Sequence, residues 1–202
     1  WSALHGVRMP STSWLFEMRV QLFGAKADAQ LRVIHPDCEI RRHRGRIFLT
    51  PRRDDDALQV APLPFRWNGE QAIDFWAYGG SLHFEPTQEG VDAAWLRGQD
   101  LVIRYRSGGE TLKSAFNRPT KSLKHHYQAL NIPAWERPRL PLVCTPNGQL
   151  LFAAGIGLNW HGLLGGSAHC VRLRWEAARA LRNVNLFEFA HFSRRIQTRP
   201  HC

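Results

Sequence analysis

The stretch Leu101-Val102-Ile103-Arg104-Tyr105-Arg106-Ser107-Gly108-Gly109-Glu110 alternates and then breaks. Leu101, Ile103 and Tyr105 fall on one face of an extended chain, Arg104 and Arg106 on the other, as in a strand with one buried side. Gly108-Gly109 ends it. Further on, Ser122-Leu123-Lys124-His125-His126-Tyr127-Gln128-Ala129-Leu130 changes to helical spacing. Ser122 occupies an N-cap position. Leu123, Tyr127 and Leu130 share one face, while Lys121, Lys124, His125 and Gln128 share the other. Ile132-Pro133-Ala134-Trp135 stops the helix, and residues 135–139 begin another turn.

Outward from this block the signals are mostly strands. Residues 142–144 and 149–154 read as strands turned by Pro146-Asn147-Gly148, and residues 171–175 alternate again and close the sheet. Upstream, 65–67, 72–77 and 81–85 are strand-like, broken at Asn68-Gly69 and Gly79-Gly80. Near the start, residues 11–24 read as a helix with Trp14, Leu15, Met18 and Leu22 on one face and Gly24 as its cap. Short strands follow at 31–34, 39–42 and 46–49, turned at His35-Pro36-Asp37 and His43-Arg44-Gly45. The expected fold is α+β: a small helix-plus-strand middle module, then a mixed β-sheet domain with two or three short helices. The expected division is 1–53, an acidic β-rich connecting segment 54–100, a domain 101–175, and a stretch 176–202 of unassigned role with a basic helix over 177–182.

Charge narrows the partner. The 202 residues carry 27 Lys and Arg against 17 Asp and Glu, a net +10, and the isoelectric point is near 10.3. That excludes an acidic scavenger and favours a polyanionic partner, nucleic acid before an acidic membrane surface. The surplus comes in blocks: ten basic and four acidic side chains in 1–53, two and nine in 54–100, eight and two in 101–141, seven and two in 171–202. Two basic modules flanking an acidic one suggest two contact surfaces on a long polyanion; solvated faces with no partner are the alternative. Cys38, Cys144, Cys170 and Cys202 are widely spaced without a Cys-x-x-Cys pair, which argues for free thiols and a cytoplasmic protein. The longest apolar stretch, residues 150–158, is too short to span a membrane and contains two Gly. A chain opening on Trp1 reads as a piece of something longer.

Catalytic sets are scarce. His125 and His126 diverge by about 100° on a helix and cannot chelate one ion alone. Ser122 and His126 have a nucleophile–base spacing, yet Ser at that position is a cap. Glu110 is a base candidate or an ion-pair partner for Arg104 or Lys113. Asp54-Asp55-Asp56 point in different directions and read as a solvated hinge, and Gly79-Gly80-Ser81 reads as a turn because no helix follows it. No catalytic or metal-ligating residue is assigned. Basic and aromatic residues are better placed: Arg104, Arg106, Lys113, Arg118, Lys121, Lys124, Arg137 and Arg139 are interleaved with Tyr105, Phe116, Tyr127 and Trp135. Cationic side chains match phosphates, and aromatics either stack unpaired bases or pack in the core. Arg41, Arg42, Arg44 and Arg46 form a second cluster around a tight turn.

The ordered set 101–110, Lys121-Ser122-Leu123-Lys124, residues 132–141 and Ala154-Gly155-Ile156-Gly157 resembles the C-terminal domain of the bacterial tRNA(Ile)-lysidine synthase family. Gly6-Val7-Arg8-Met9-Pro10, residues 24–29 and residues 40–46 resemble its middle domain, so the likeness runs from Trp1 to Trp175. In that family an N-terminal PP-loop domain uses ATP, with magnesium, to adenylate the wobble cytidine of an isoleucine tRNA with a CAU anticodon. The amine of free lysine then displaces AMP. The Ser-Gly-Gly-x-Asp-Ser loop of that domain does not occur in this sequence.

The resemblance therefore implies a tRNA-gripping portion, inactive alone, working with its own PP-loop domain on tRNA(Ile) in the cytoplasm, with no cofactor in this chain and no membrane partner. It implies tRNA contacts at Arg41, Arg42 and Arg46, and at Arg104, Arg106, Lys121, Lys124, Trp135, Arg137 and Arg139, with Gly108 and Gly109 shaping the turn. Thr111 stands where a basic residue is usual, so one phosphate contact is either missing or supplied by Lys113. The competing reading is a stand-alone basic RNA-binding module with no catalytic parent.

Overall fold

The computed structural model describes residues 11–24, 31–51, 60–160, 169–178 and 184–188. The chain divides into two compact units, one formed by 1–54 with 179–202, the other by 55–178.

In the first unit, α1 (Thr12–Gly24) begins where the Ser11 hydroxyl accepts from the Trp14 amide at 3.2 Å, and an antiparallel sheet follows. Its strands are β1 (Arg32–Ile34), β2 (Cys38–His43) and β3 (Arg46–Pro51), with β15 (Val184–Glu188) added to the free side of β3. Hairpin β2–β3 turns on Arg44 and Gly45, whose φ angles of 49° and 72° are what a two-residue turn between twisted strands requires. Val33 and Ile40 form the small core, with Trp14, Met18, Leu31, Ile47 and Leu49 packed against them. The apolar face expected on α1 is only partly used: Trp14 and Met18 pack, and Trp14 Nε1 donates to the Ile34 carbonyl at 3.2 Å, but Leu15 is 40% exposed.

The second unit is built on two antiparallel sheets. One runs β13 (Gly157–Leu158), β12 (Leu150–Ala153), β11 (Leu142–Cys144), β8 (Leu101–Arg104), β4 (Leu63–Phe65). The other runs β5 (Ala72–Phe75), β6 (Gly80–Thr87), β14 (Cys170–Ala177), β7 (Val91–Asp92). Alternation does what it should: Leu101 and Ile103 are fully buried, and their core also holds Trp67, Tyr78, Leu82, Leu96, Val143, Leu151 and Leu173, drawn from both sheets. The Tyr78 hydroxyl lies 2.8 Å from the Ile103 carbonyl and ties the two sets of strands together.

Residues 54–100, read from sequence as a connecting segment, thus supply β4 to β7 and the short α2 (Ala93–Arg97), which Asp92 caps through the Trp95 amide. The charge pattern concealed this because the acidic side chains, Glu85 among them, stand on the outer surface: Glu85 pairs with Arg172 at 2.8 Å and Arg174 at 2.6 Å across β6 and β14. The basic helix expected over 177–182 lies mostly outside the described residues, and Ala177 itself ends β14. The hinge 52–56 lies outside them as well. Cys38, Cys144 and Cys170 are buried thiols outside any disulfide, and burial pushes the first two up from the usual thiol range.

Candidate nucleic-acid interface

Beyond β8 the chain folds over its own carboxylate. Glu110 accepts from the Ser107 amide at 2.7 Å, the Ser107 hydroxyl at 3.2 Å and the Gly108 amide at 3.0 Å. Arg104 Nη1 adds a charged bond at 3.0 Å and also donates to the Tyr105 carbonyl at 3.0 Å. Gly108 and Gly109, at φ 100° and 82°, let the backbone make this bend. Burial pushes the Glu110 carboxyl up, but the amide donors and the Arg104 guanidinium outweigh it and hold the pKa at about 2. Arg104 therefore spends its charge inside the turn. Arg106 lies 5.9 Å from the centre of the Tyr127 ring.

Past the turn, β9 (Thr111–Leu112) pairs with β10 (Lys121–Ser122), leaving residues 113–120 as the loop of a hairpin that runs directly into α3 (Leu123–Ala129). Between Glu110 and Glu136 there is no carboxylate, while Lys113, Arg118, Lys121 and Lys124 all fall there. Leu112, Leu123 and Tyr127 bury the underside against Leu142, Cys144, Leu150 and Ala153. The Tyr127 hydroxyl donates to the Ala154 carbonyl at 3.2 Å, and burial drives its pKa to about 12. Tyr127 is thus core and not a stacking surface. Arg118, Lys121 and Lys124 are exposed, with Lys121 Nζ 3.1 Å from His125 Nε2. Ser122 accepts from the His125 amide at 3.3 Å as a cap. His126 Nε2 sits 2.9 Å from the Leu112 carbonyl and donates to it, so that nitrogen is not available to take a proton from Ser122. Among the described residues no group of three His, Cys, Asp or Glu could hold a metal ion.

The remaining candidates are less open. Trp135, Arg137 and Arg139 are half-buried around a 3-10 turn (Arg137–Arg139), and Arg137 Nε donates to the Ile132 carbonyl at 2.8 Å. In the first unit, Arg41 pairs with Glu39 at 2.7 Å and Arg32 pairs with the same carboxylate at 2.5 Å. Arg42 is buried, and Arg46 lies exposed beside the turn. The structure brings Lys113, Lys121 and Lys124 onto one hairpin and helix, turns Arg104 and Arg41 toward carboxylate partners, and buries Arg42. It adds Arg118, which the resemblance does not carry over, and Arg44, exposed at the tip of β2–β3. It also adds Trp160, whose amide donates to the Lys113 carbonyl at 2.7 Å. No local motif marks Trp160; only the fold joins it to residue 113.

Fold and surface together define a two-unit α+β protein with a carboxylate-free basic hairpin and helix. Residues 101–175 match the family model described as the TilS substrate C-terminal domain, and residues 1–48 match the TilS substrate binding domain. The chain belongs to the TilS family through these two domains. It is 37% identical over 164 residues to a tRNA(Ile)-lysidine synthase of Ralstonia nicotianae, covering 78% of this chain and 35% of that protein. A second of Nitrosomonas europaea is 37% identical over 154 residues, with 76% and 33% covered. A third, of Coxiella burnetii, is 31% identical over 143 residues, with 71% and 31% covered. The chain spans about a third of the length of these relatives. A solved structure described as the TILS C-terminal domain overlaps 58% of this chain and 98% of its own, at a TM-score of 0.43 and 21% identity.

Proposed function

We propose that this chain is the tRNA-gripping portion of a tRNA(Ile)-lysidine synthase, the ligase that joins lysine to the wobble cytidine of isoleucine tRNA. The observation that carries the reading is the run from Thr111 to Trp135. It has four cations and no carboxylate, is folded as a hairpin and helix, and lies inside the match to the TilS C-terminal domain. Lys113, Arg118, Lys121 and Lys124 hold backbone phosphates, and Arg44 and Arg46 offer a second contact from the first unit. Arg104 acts as the brace that shapes the turn before the hairpin. ATP, magnesium and lysine belong to an N-terminal PP-loop domain acting in the cytoplasm.

The Gly79-Gly80-Ser81 run is not built as a phosphate loop. Gly79 closes the short Trp76–Tyr78 turn, Gly80 begins β6, and Ser81 Oγ donates to Asp74 at 2.5 Å. No helix among them is long and apolar enough to cross a membrane.

The test is a salt-titrated binding comparison of isoleucine tRNA with an unmodified CAU anticodon, methionine tRNA and random duplex RNA. Steep salt dependence with preference for the first is expected. Equal binding to all three would leave this chain a basic handle without a role in selection.

A further inference from the structure

The loop of hairpin β9–β10 carries a side chain that phosphate binding leaves unused. Phe116 is 75% exposed. It is held there: the Arg118 amide donates to the Ala115 carbonyl at 3.1 Å, closing a turn that puts Phe116 at its tip. Trp160 stands beside it, edge-on, with ring centres 6.4 Å apart and planes at 68°. The Trp160 backbone is pinned to Lys113, and the preceding residue, Asn159, is buried, accepting from the Lys113 amide at 2.9 Å and donating to the Leu150 carbonyl at 2.9 Å. The loop is therefore anchored at its base and braced on one side. Lys113 Nζ lies 5.4 Å from the centre of the Phe116 ring, and Arg118 is two residues beyond it.

An exposed aromatic flanked by cations, in a 25-residue stretch without a carboxylate, matches the chemistry of a stacking platform for nucleic acid. A base paired inside a duplex cannot use it. In an A-form duplex the base faces are covered by their neighbours and the deep groove is closed to side chains. An unpaired base presents a free π-face, with a phosphate on either side for the cations.

We infer that Phe116, braced by Trp160, stacks an unpaired nucleobase of an RNA strand whose adjoining phosphates are held by Lys113 and Arg118. The inference rests on the reading of this surface as RNA-binding and adds that it distinguishes single-stranded from paired RNA.

The experiment measures affinity of the whole chain for three probes by anisotropy: a blunt RNA duplex, and the same duplex with a short 3′ or 5′ single-stranded overhang. Wild type should prefer one overhang to the blunt duplex. Phe116→Ala should lose roughly tenfold on that overhang, leave blunt-duplex affinity and salt slope unchanged, and melt at the wild-type temperature. Phe116→Trp should retain the preference. Equal wild-type affinity for all three probes overturns the inference and leaves phosphate binding standing. So does a Phe116→Ala variant that keeps the overhang preference or weakens every probe alike. Failure of wild type to bind any of the three overturns the RNA-binding reading, and the inference with it.

Discussion

Arg104 Nη1 stands 3.0 Å from Glu110 Oε1, joining the end of β8 to the far side of the Ser107–Gly109 turn. Both side chains are largely withdrawn from water, at 23% and 8% exposure. The Glu110 carboxyl sits at about 2 in the folded chain against an ordinary 4.5. A depressed carboxylate contributes stability that is present above the unfolded value and lost as pH falls through the folded one. Denaturant melts of wild type should therefore lose about 3 kcal/mol between those two values. Glu110→Gln should be less stable at neutral pH and lack that drop. Parallel stability curves for the two proteins would show that the carboxylate is not held by the turn.

The same pair separates bracing from clamping. Arg104→Ala strips a charged partner from a buried carboxylate, so it should destabilise by about 3 kcal/mol. The salt slope of RNA binding by the protein that remains folded should stay near the wild-type value. Lys121→Ala with Lys124→Ala is the opposite case: both side chains are exposed, so the melt should hardly move. Removing a cation that neutralises one phosphate should flatten the logarithmic salt slope by roughly 0.7 to 0.9. A flattened slope in the Arg104 variant with none in the double Lys variant would reverse the assignment.

What the sequence made legible follows from where the physics is local. Alternation at 101–105, the Ser122 cap and the Arg44-Gly45 turn depend on neighbours within a few residues, and all three hold in the structure. The role of residues 54–100 depends on pairing across the chain, Phe84 opposite Leu173 and Leu63 opposite Ile103, which no local pattern encodes. The candidate site divides the same way. A basic residue declares its charge in the sequence, but whether that charge is spent depends on the fold. Arg104 and Arg41 are committed to Glu110 and Glu39, whereas Lys124 is exposed to solvent.

Gly80 tests whether the acidic segment is part of the second unit's framework. It pairs with Ala177, and a Cβ there would fall 2.6 Å from the Trp175 ring and against the Glu176 carbonyl. Neither neighbour is a free-swinging chain end, so Gly80→Ala should destabilise by about 1–3 kcal/mol. The loss should appear in a single cooperative melt followed by tryptophan fluorescence. A wild-type melt in this variant would mean that β6 and β14 do not meet as described.

Tyr127 decides between base stacking and core packing, the two roles the sequence left open. With no exposed surface and its hydroxyl bonded to the Ala154 carbonyl, it is a structural residue beneath the basic face. Tyr127→Phe removes one buried hydrogen bond and keeps the ring, so it should cost about 1 kcal/mol and leave RNA affinity unchanged. Tyr127→Ala opens a cavity beneath Leu112 and Leu123 and should cost about 3–5 kcal/mol. RNA affinity should fall in that variant only as far as the folded fraction falls, checked by measuring binding and unfolding in the same buffer. A loss of affinity in Tyr127→Phe at unchanged stability would place the hydroxyl in contact with RNA and contradict its burial.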